Sequence, residues 1–283
     1  MLDELLTVSN KNETDWVDAV CKKLPIIVIL KSYGFGKADC DLISGQIEHL
    51  VKIPSPTKTP EQVKAINAIS KRVYDIAEKH LVNASVYRPI INTLCEQHHL
   101  STEEAVSLCV SNLVGLFIQS YDACRGLLSN SLLQILVNTD PSHTNFTDSE
   151  FLKNSVTETL RYDPPVHNTR RVATEDILLG NTLIKKGTAI LIVLAAANRD
   201  TKKFDKPRLY DINRSNNMEH LTFGAGGHAC LAKHFSTSLT VKTLARLFER
   251  HKNIRLIDQN ITYEPAINVR LPKSILIDLS PNN

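Results

Sequence analysis

From Ser101 to about Leu136 the chain runs through a long apolar segment without a proline, and no other feature constrains the fold as much. Its start is marked by Ser101-Thr102-Glu103-Glu104, short oxygen-bearing residues before acidic ones, the pattern that caps a helix N-terminus. A helix of that length, apolar nearly all round at Leu113–Ile118, is expected to cross the middle of the molecule rather than lie on its surface. The 283 residues can bury a substantial core around it, as one large domain or two modest ones.

The chain before this segment also reads as helical. Thr14 to Leu30 is amphipathic but interrupted by Pro25, and Ser55 to Thr59 is a loop after which Pro60 opens the next helix. Glu61 to Leu81 repeats Val63, Ile66, Ile69, Val73 and Ile76 with helical period. After Pro141 the texture changes. Phe151 to Arg161 is a short helix that Asp163-Pro164-Pro165 must end. Strands follow at Val166–Val172, Ile177–Leu179, Thr182–Ile184 and Ala189–Leu194, with Gly180-Asn181 and Lys186-Gly187 as turns. Ala189–Leu194 is a continuous apolar run of the kind buried on both faces. Leu231 to His251 reads as a last helix with Phe235, Leu239, Leu244 and Leu247 facing inward, and short strands close the chain. The expected fold class is mainly α with a small β region.

Charge and cysteine usage narrow the function classes. Thirty-three Lys and Arg against 30 Asp and Glu leave a formal charge of +3 with no polybasic run, which argues against nucleic acid as the main partner. The first residues are acidic where a signal peptide is basic, and Ile26–Leu30 is too short to span a bilayer, so no membrane partner and a cytoplasmic location are expected. Six cysteines lie far apart without a CxxC pair, which indicates neither a disulfide framework nor a zinc ribbon. Five of them sit among apolar neighbours and are expected to be buried. Cys230 is different.

Cys230 ends the segment Phe223-Gly224-Ala225-Gly226-Gly227-His228-Ala229-Cys230 at the mouth of the last helix. Glycines let a backbone pass close to a flat ligand and aim amides at the sulfur, while a helix N-terminus favours the thiolate. A thiolate held against a planar group is what a haem iron requires. A phosphate-cradling loop fits less well, because Ala229 occupies the third glycine's place of GxGxxG. A zinc site from His228 and Cys230 lacks two further ligands. The residues of the loop alone leave haem ligation and a plain glycine turn both open.

The loop resembles the cysteine-ligand loop of the cytochrome P-450 family, soluble bacterial type, and other stretches agree in the same order. Glu158-Thr159-Leu160-Arg161 is similar to the family's ExxR helix, and Tyr162-Asp163-Pro164-Pro165 follows it. Arg171-Val-Ala-Thr-Glu-Asp176, Gly187-Thr188, Ala196-Ala197-Asn198-Arg199-Asp200, and Phe204 with Pro207 recur in register. The resemblance covers roughly residues 14 to 280, firmly after 150 and loosely before. It implies a truncated cytochrome P-450-like fold forming one haem-binding domain over residues 1–283. Residues 1–140 make its helical part, and 141–283 hold the ExxR helix, the β region and the ligand loop. It implies haem b (iron protoporphyrin IX) as cofactor, with Cys230 as axial ligand to the metal and Phe223, Gly224 and Gly226 shaping the loop. Arg171 and His228 would contact the propionates, as suits a guanidinium and an imidazole beside carboxylates. Glu158, Arg161 and Arg214 would form a structural ion-pair triad, the first two sharing a helix face at i, i+3.

The sequence departs from the family's pattern in three places. Asp15–Leu30 already resembles the family's middle helices, so roughly the first quarter to third of the fold is absent. Family members carry an acid followed by threonine at the centre of the long helix, where they relay protons during oxygen activation. Counting back from Glu158 sets Gln119-Ser120-Tyr121-Asp122-Ala123-Cys124 there, with Asp122 as the acid and Ala123 in place of the threonine. Counting forward from Ser101 puts Gln119 and Ser120 there instead, and neither register supplies the threonine. Ala232 stands where the family has glycine.

The implied activity is that of a haem-thiolate oxidoreductase, a monooxygenase-type enzyme that oxidises a small organic substrate with O2 or peroxide. Electrons would come from a ferredoxin or flavodoxin with its reductase. Phe117, Tyr121, Val166, His167, Asn168 and Ile267 are the candidate substrate-facing residues. The alternative is a non-catalytic haem-binding or interaction protein derived from that family. In either case the strands Val166–Val172 and Ala189–Leu194 would lack their neighbours, so a second copy, a second polypeptide or the chain's own refolded N-terminus is expected to cover the missing region.

Overall fold

The longest helix, Thr102–Asn138, begins as its sequence dictates. The Glu104 carboxylate accepts from the Ser101 backbone N–H at 2.8 Å while the Ser101 hydroxyl accepts from the Glu104 N–H at 3.2 Å. In the computed structural model, which describes residues 1–7, 13–53, 57–140, 145–257 and 259–280, it is the sixth α-helix. In chain order the α-helices are α1 Leu2–Thr7, α2 Leu24–Ser32, α3 Lys37–Leu50, α4 Pro60–Asn83, α5 Arg88–His98, α6 Thr102–Asn138, α7 Ser149–Tyr162, α8 Leu194–Ala197 and α9 Lys233–Arg250. The strands are β1 Glu13–Asp15, β2 Asn168–Val172, β3 Ile177–Leu179, β4 Thr182–Ile184, β5 Ala189–Val193, β6 Arg255–Leu256 and β7 Leu276–Asp278. The molecule is thus mainly helical with small sheets. The loop expected at Ser55–Thr59 and the change of texture at Pro141 lie partly outside the described residues.

The chain forms two compact units, one of residues 1–22 with 123–283 and the other of Lys23–Asp122. In the second unit α2 to α5 and the first half of α6 share one apolar core. Pro60 stands at the start of α4, and Thr59 and Gln62 close a reciprocal cap there. In the first unit α7 packs on α9. A three-stranded antiparallel sheet of order β1-β7-β6 joins the N-terminal residues to the C-terminal ones. The hairpin β3–β4 and the pair β2–β5 are separate two-stranded ladders.

Four expectations are corrected. Pro25 does not interrupt a helix spanning Thr14 to Leu30. It sits in the first turn of α2, where its missing N–H costs nothing, and the residues before it form β1 and a π-helical turn, Val17–Cys21. The part of α6 buried all round is not Leu113–Ile118 but Cys124–Leu133. There Arg125 is met by both carboxylate oxygens of Glu264 at 2.9 Å and Asn130 by the carbonyls of Asp163 and Arg270, while the buried Ser131 hydroxyl finds no partner among the described residues. The apolar run at Ala189 is not buried on both faces. It ends as a strand at Val193 and stays mostly exposed, because its ladder is made with β2 alone. Phe235 is exposed, whereas Leu244 and Leu247 are fully buried and Leu239 is half-buried.

Gly126 shows how tightly α6 is held. A Cβ added there would lie 2.7 Å from Leu271 Cδ2 and 2.8 Å from the Pro165 Cβ, below any ordinary contact. Alanine in a helix interior usually gains about 1 kcal/mol over glycine. Here overpacking against the rigid proline reverses the sign. Gly126→Ala should lower stability by about 1–3 kcal/mol, read as a fall in the urea midpoint at unchanged slope.

Candidate functional site

The deepest polar cluster of the first unit sits on the buried face of α7. Glu158 and Arg161 are completely buried one turn apart. Arg161 Nε donates to Glu158 Oε2 at 2.9 Å and its Nη2 to Oε1 at 2.6 Å. The other donors of the same guanidinium reach the carbonyls of Asn198, Pro207 and Leu209. Glu158 Oε1 also accepts from the Asp211 N–H at 3.0 Å, and Arg214 Nε stands 3.5 Å away. The structure therefore brings Glu158, Arg161 and Arg214 together, with one buried carboxylate between two guanidiniums. Asn198, fully buried at the end of α8, ties this cluster to the following loop. Its amide donates to the Thr222 hydroxyl and its carbonyl oxygen accepts the Leu221 N–H at 2.7 Å. The role of this asparagine was not apparent from the sequence, where it is one polar residue within a short motif.

The segment that follows is the cysteine loop. Gly224 and Gly226 adopt φ of +70° and +71°, a region that side chains with a Cβ avoid, and Gly226–His228 form a single 3-10 turn. The Cys230 N–H donates to the Phe223 carbonyl at 2.8 Å and closes the loop. Residues 224–231 are all exposed, and Leu231, an apolar side chain, is fully so. A Cβ placed on Gly226 or Gly227 would meet nothing within 4 Å. Cys230 is the one exposed cysteine of the six. A lone thiol on an open glycine loop, flanked by an uncovered leucine, fits a planar apolar group with a metal at its centre. Among the described residues no three His, Cys, Asp or Glu side chains are grouped to hold a metal ion, so a zinc site finds no ligand set. Ala232 caps α9 with φ −87°, a backbone open to any residue, so alanine in place of glycine brings no strain.

Behind Phe223 lies His220, whose ring is 5.6 Å from the phenyl ring. Burial, and then the nearby charges of Lys233 and Arg161, push its pKa down to about 4. Its neutral Nδ1 accepts the Thr222 N–H at 3.2 Å. Cys124, at the start of the buried stretch of α6, is close enough to feel the charge of Cys230. Burial first and that charge second push its thiol up to about 12. It remains protonated at neutral pH.

The other candidate residues are distributed as follows. Arg171 lies exposed on β2 and donates to the Thr169 hydroxyl and the Arg170 carbonyl, and His228 is exposed in the loop turn. Asp122 and Ala123 are half-buried in α6, on either side of the boundary between the two units. Phe117 and Tyr121 belong to the core of the second unit, where the Tyr121 hydroxyl donates to Glu48 at 3.2 Å. Val166, His167 and Asn168 are half-buried in the first unit and Ile267 is exposed. Val166 bridges to Val269, and the Asn168 amide donates to the Ile267 carbonyl at 3.0 Å. The Asn168 Oδ1 atom is buried without a partner among the described residues.

Residues 128–269 match the sequence profile of the cytochrome P450 family. The biotin biosynthesis cytochrome P450 of Bacillus subtilis is 33% identical over 175 residues, which cover 62% of this chain and 43% of that protein. Cytochrome P450 CYP107DY1 of Priestia megaterium is 30% identical over 257 residues, 90% of this chain and 62% of its own. Among solved structures, P450BioI in complex with an acyl carrier protein bearing hexadec-9Z-enoic acid superposes with a TM-score of 0.83 at 25% identity. The match covers 99% of this chain and 72% of that one. CalO2 superposes with a TM-score of 0.86 at 22% identity over 99% and 71% of the two chains, a likeness of fold. The chain belongs to the cytochrome P450 family. It spans less than two thirds of the length of these two curated relatives.

Proposed function

We propose that this chain binds haem b through Cys230 and acts as a haem-thiolate monooxygenase on a small organic substrate. The observation that carries the reading is the exposed Cys230 on its glycine loop, braced from behind by the buried Glu158–Arg161–Arg214 cluster. Cys230 would hold the iron, Gly224 and Gly226 would let the loop lie close to the ring, and Arg171 and His228 would meet the propionates. When bound, a thiolate-ligated haem supplies oxygen activation. By the resemblance to the family, Asp122 of α6 would hold and pass a proton. The shielded Asn168 Oδ1, which finds no partner among the described residues, is an acceptor that a substrate hydroxyl or amide would satisfy. Electrons would come from a ferredoxin or flavodoxin with its reductase, or peroxide would serve as oxidant. One relative structure holds an acyl carrier protein, so a carrier-borne acyl chain belongs in the substrate screen. Six free thiols agree with a cytoplasmic location.

Ala123 favours a second reading, a haem-binding protein without efficient catalysis, because the hydroxyl that follows the acid is missing. The uncovered ladder of β2 and β5, with Val172, Leu191 and Val193 exposed on one face and Ile192 on the other, supports association with a second copy or a second polypeptide. Ala123→Thr tests the catalytic reading. General acid–base help of this kind is worth roughly 10²–10⁴ in rate, so restoring the hydroxyl should raise coupled NADH-driven turnover by up to that factor. Peroxide-driven turnover should change little. Efficient, coupled oxygen-driven turnover by the wild type would show that the chain does not need this hydroxyl.

A further inference from the structure

A cavity of about 400 Å3 opens in the first unit beside the C-terminal end of α6, the loop after α7, and α8. Its polar lining consists chiefly of Gln134, Asp163, His167, Arg199 and Arg270. Asp163 is almost wholly buried and its carboxylate is saturated: Oδ1 accepts from Arg270 Nε at 2.9 Å and Oδ2 from the Gln134 amide at 3.0 Å. Arg199 is placed differently. Its guanidinium donates to the carbonyls of Ala195 and Tyr162, both neutral, and hydrogen-bonds no carboxylate among the described residues. The His167 ring makes no hydrogen bond among the described residues, although its backbone is fixed by Asn268 and Ala195. Two guanidiniums and an imidazole therefore line one cavity with a single carboxylate that is already engaged. Such a surplus of donors and positive charge in a concave, partly desolvated place is the chemistry of an oxyanion site.

We propose that this cavity binds a phosphate group, either inorganic phosphate or a phosphate monoester, with Arg199 as principal donor, Arg270 beside it and His167 as a proton-coupled third contact. A planar guanidinium offers paired donors that match two phosphate oxygens, which a lysine cannot copy. Binding is linked to pH through His167. Burial and the charges of Arg270 and Arg199 hold its pKa below the usual histidine value, and Asp163 opposes them. A bound phosphate adds negative charge and raises that pKa, so the contribution of His167 to affinity grows as pH falls through the histidine range. The second ionisation of the phosphate, at about pH 6, acts in the opposite sense and is common to wild type and His167→Gln. Nothing in this site draws on the cysteine loop, so it stands or falls apart from the haem reading.

The test is a titration of the full chain with inorganic phosphate and with glycerol 3-phosphate at fixed ionic strength, with chloride as control. It is followed by calorimetry and by phosphorus NMR line width at several pH values. The expected result is saturable binding of at least one phosphate compound, weakened tenfold or more in Arg199→Gln, with its pH dependence flattened in His167→Gln. Tighter binding of glycerol 3-phosphate identifies a monoester as the ligand, and equal or weaker binding identifies free phosphate. His167→Gln removes no fold-stabilising hydrogen bond, so it decides the matter if Arg199→Gln does not fold. Equal response of the wild type and His167→Gln at every pH, or a chloride response equal to that of phosphate, would overturn the proposal.

Discussion

Cys230→Ala should abolish the red-shifted carbon monoxide band of the reduced, haem-loaded protein, whereas Cys124→Ala should leave it in place. Both cysteines lie in the same unit and near each other, so position alone does not separate them. Their environments do. Cys124 is buried in α6, and its pKa of about 12 keeps it a neutral thiol at pH 7. Cys230 is exposed at the end of a glycine loop that leaves open space in front of it. An exposed Cys→Ala change costs little stability, within about 0.5 kcal/mol, so loss of the band would not reflect unfolding. Far-ultraviolet circular dichroism of the two variants supplies the control. Retention of the band by Cys230→Ala would remove the ligand assignment and the proposed function with it.

Much of the local structure was legible in the sequence because its causes are local. Ser101 with Glu104, and Pro60, mark helix starts through signals that lie within one turn. The hairpin Ile177–Ile184 follows from the Gly180-Asn181 turn, with Gly180 at φ +56°. The misreadings share a different cause. β1 is three residues of polar character that become a strand only because β7, some 260 positions later, pairs with them. Cys124–Leu133 does not stand out in the sequence as the most buried part of α6, because Arg125 and Asn130 look like surface residues until their distant partners are known. Exposure of β5 is equally invisible, since an apolar run carries no record of what covers it. For the site, the loop and the i, i+3 spacing of Glu158 and Arg161 were readable. The anchoring of Asn198 and the cluster of Asp163, Gln134 and Arg270 were not.

Arg161→Ala should be among the most destabilising single changes in the chain, costing about 3–5 kcal/mol, the range for breaking a buried ion pair on one side. The side chain has no exposed surface, and its guanidinium meets Glu158 and three backbone carbonyls. Alanine leaves Glu158 as a buried carboxylate that keeps only the Asp211 N–H and the more distant Arg214. It also strands the carbonyls of Asn198, Pro207 and Leu209, which the guanidinium had reached from one point. A domain has a net stability of only about 5–15 kcal/mol, so the variant should be found largely insoluble or unable to retain haem. Arg161→Lys should fall between, because three donors on a flexible stem cannot serve two carboxylate oxygens and three carbonyls at once. The sharper measurement is a double-mutant cycle with Glu158→Gln, followed by denaturant unfolding. Adding Glu158→Gln should recover part of the loss, because it removes the uncompensated charge that Arg161→Ala leaves behind. If Arg161→Ala unfolds within about 1 kcal/mol of the wild type, the cluster is not what holds α7 against the loop that leads to Cys230.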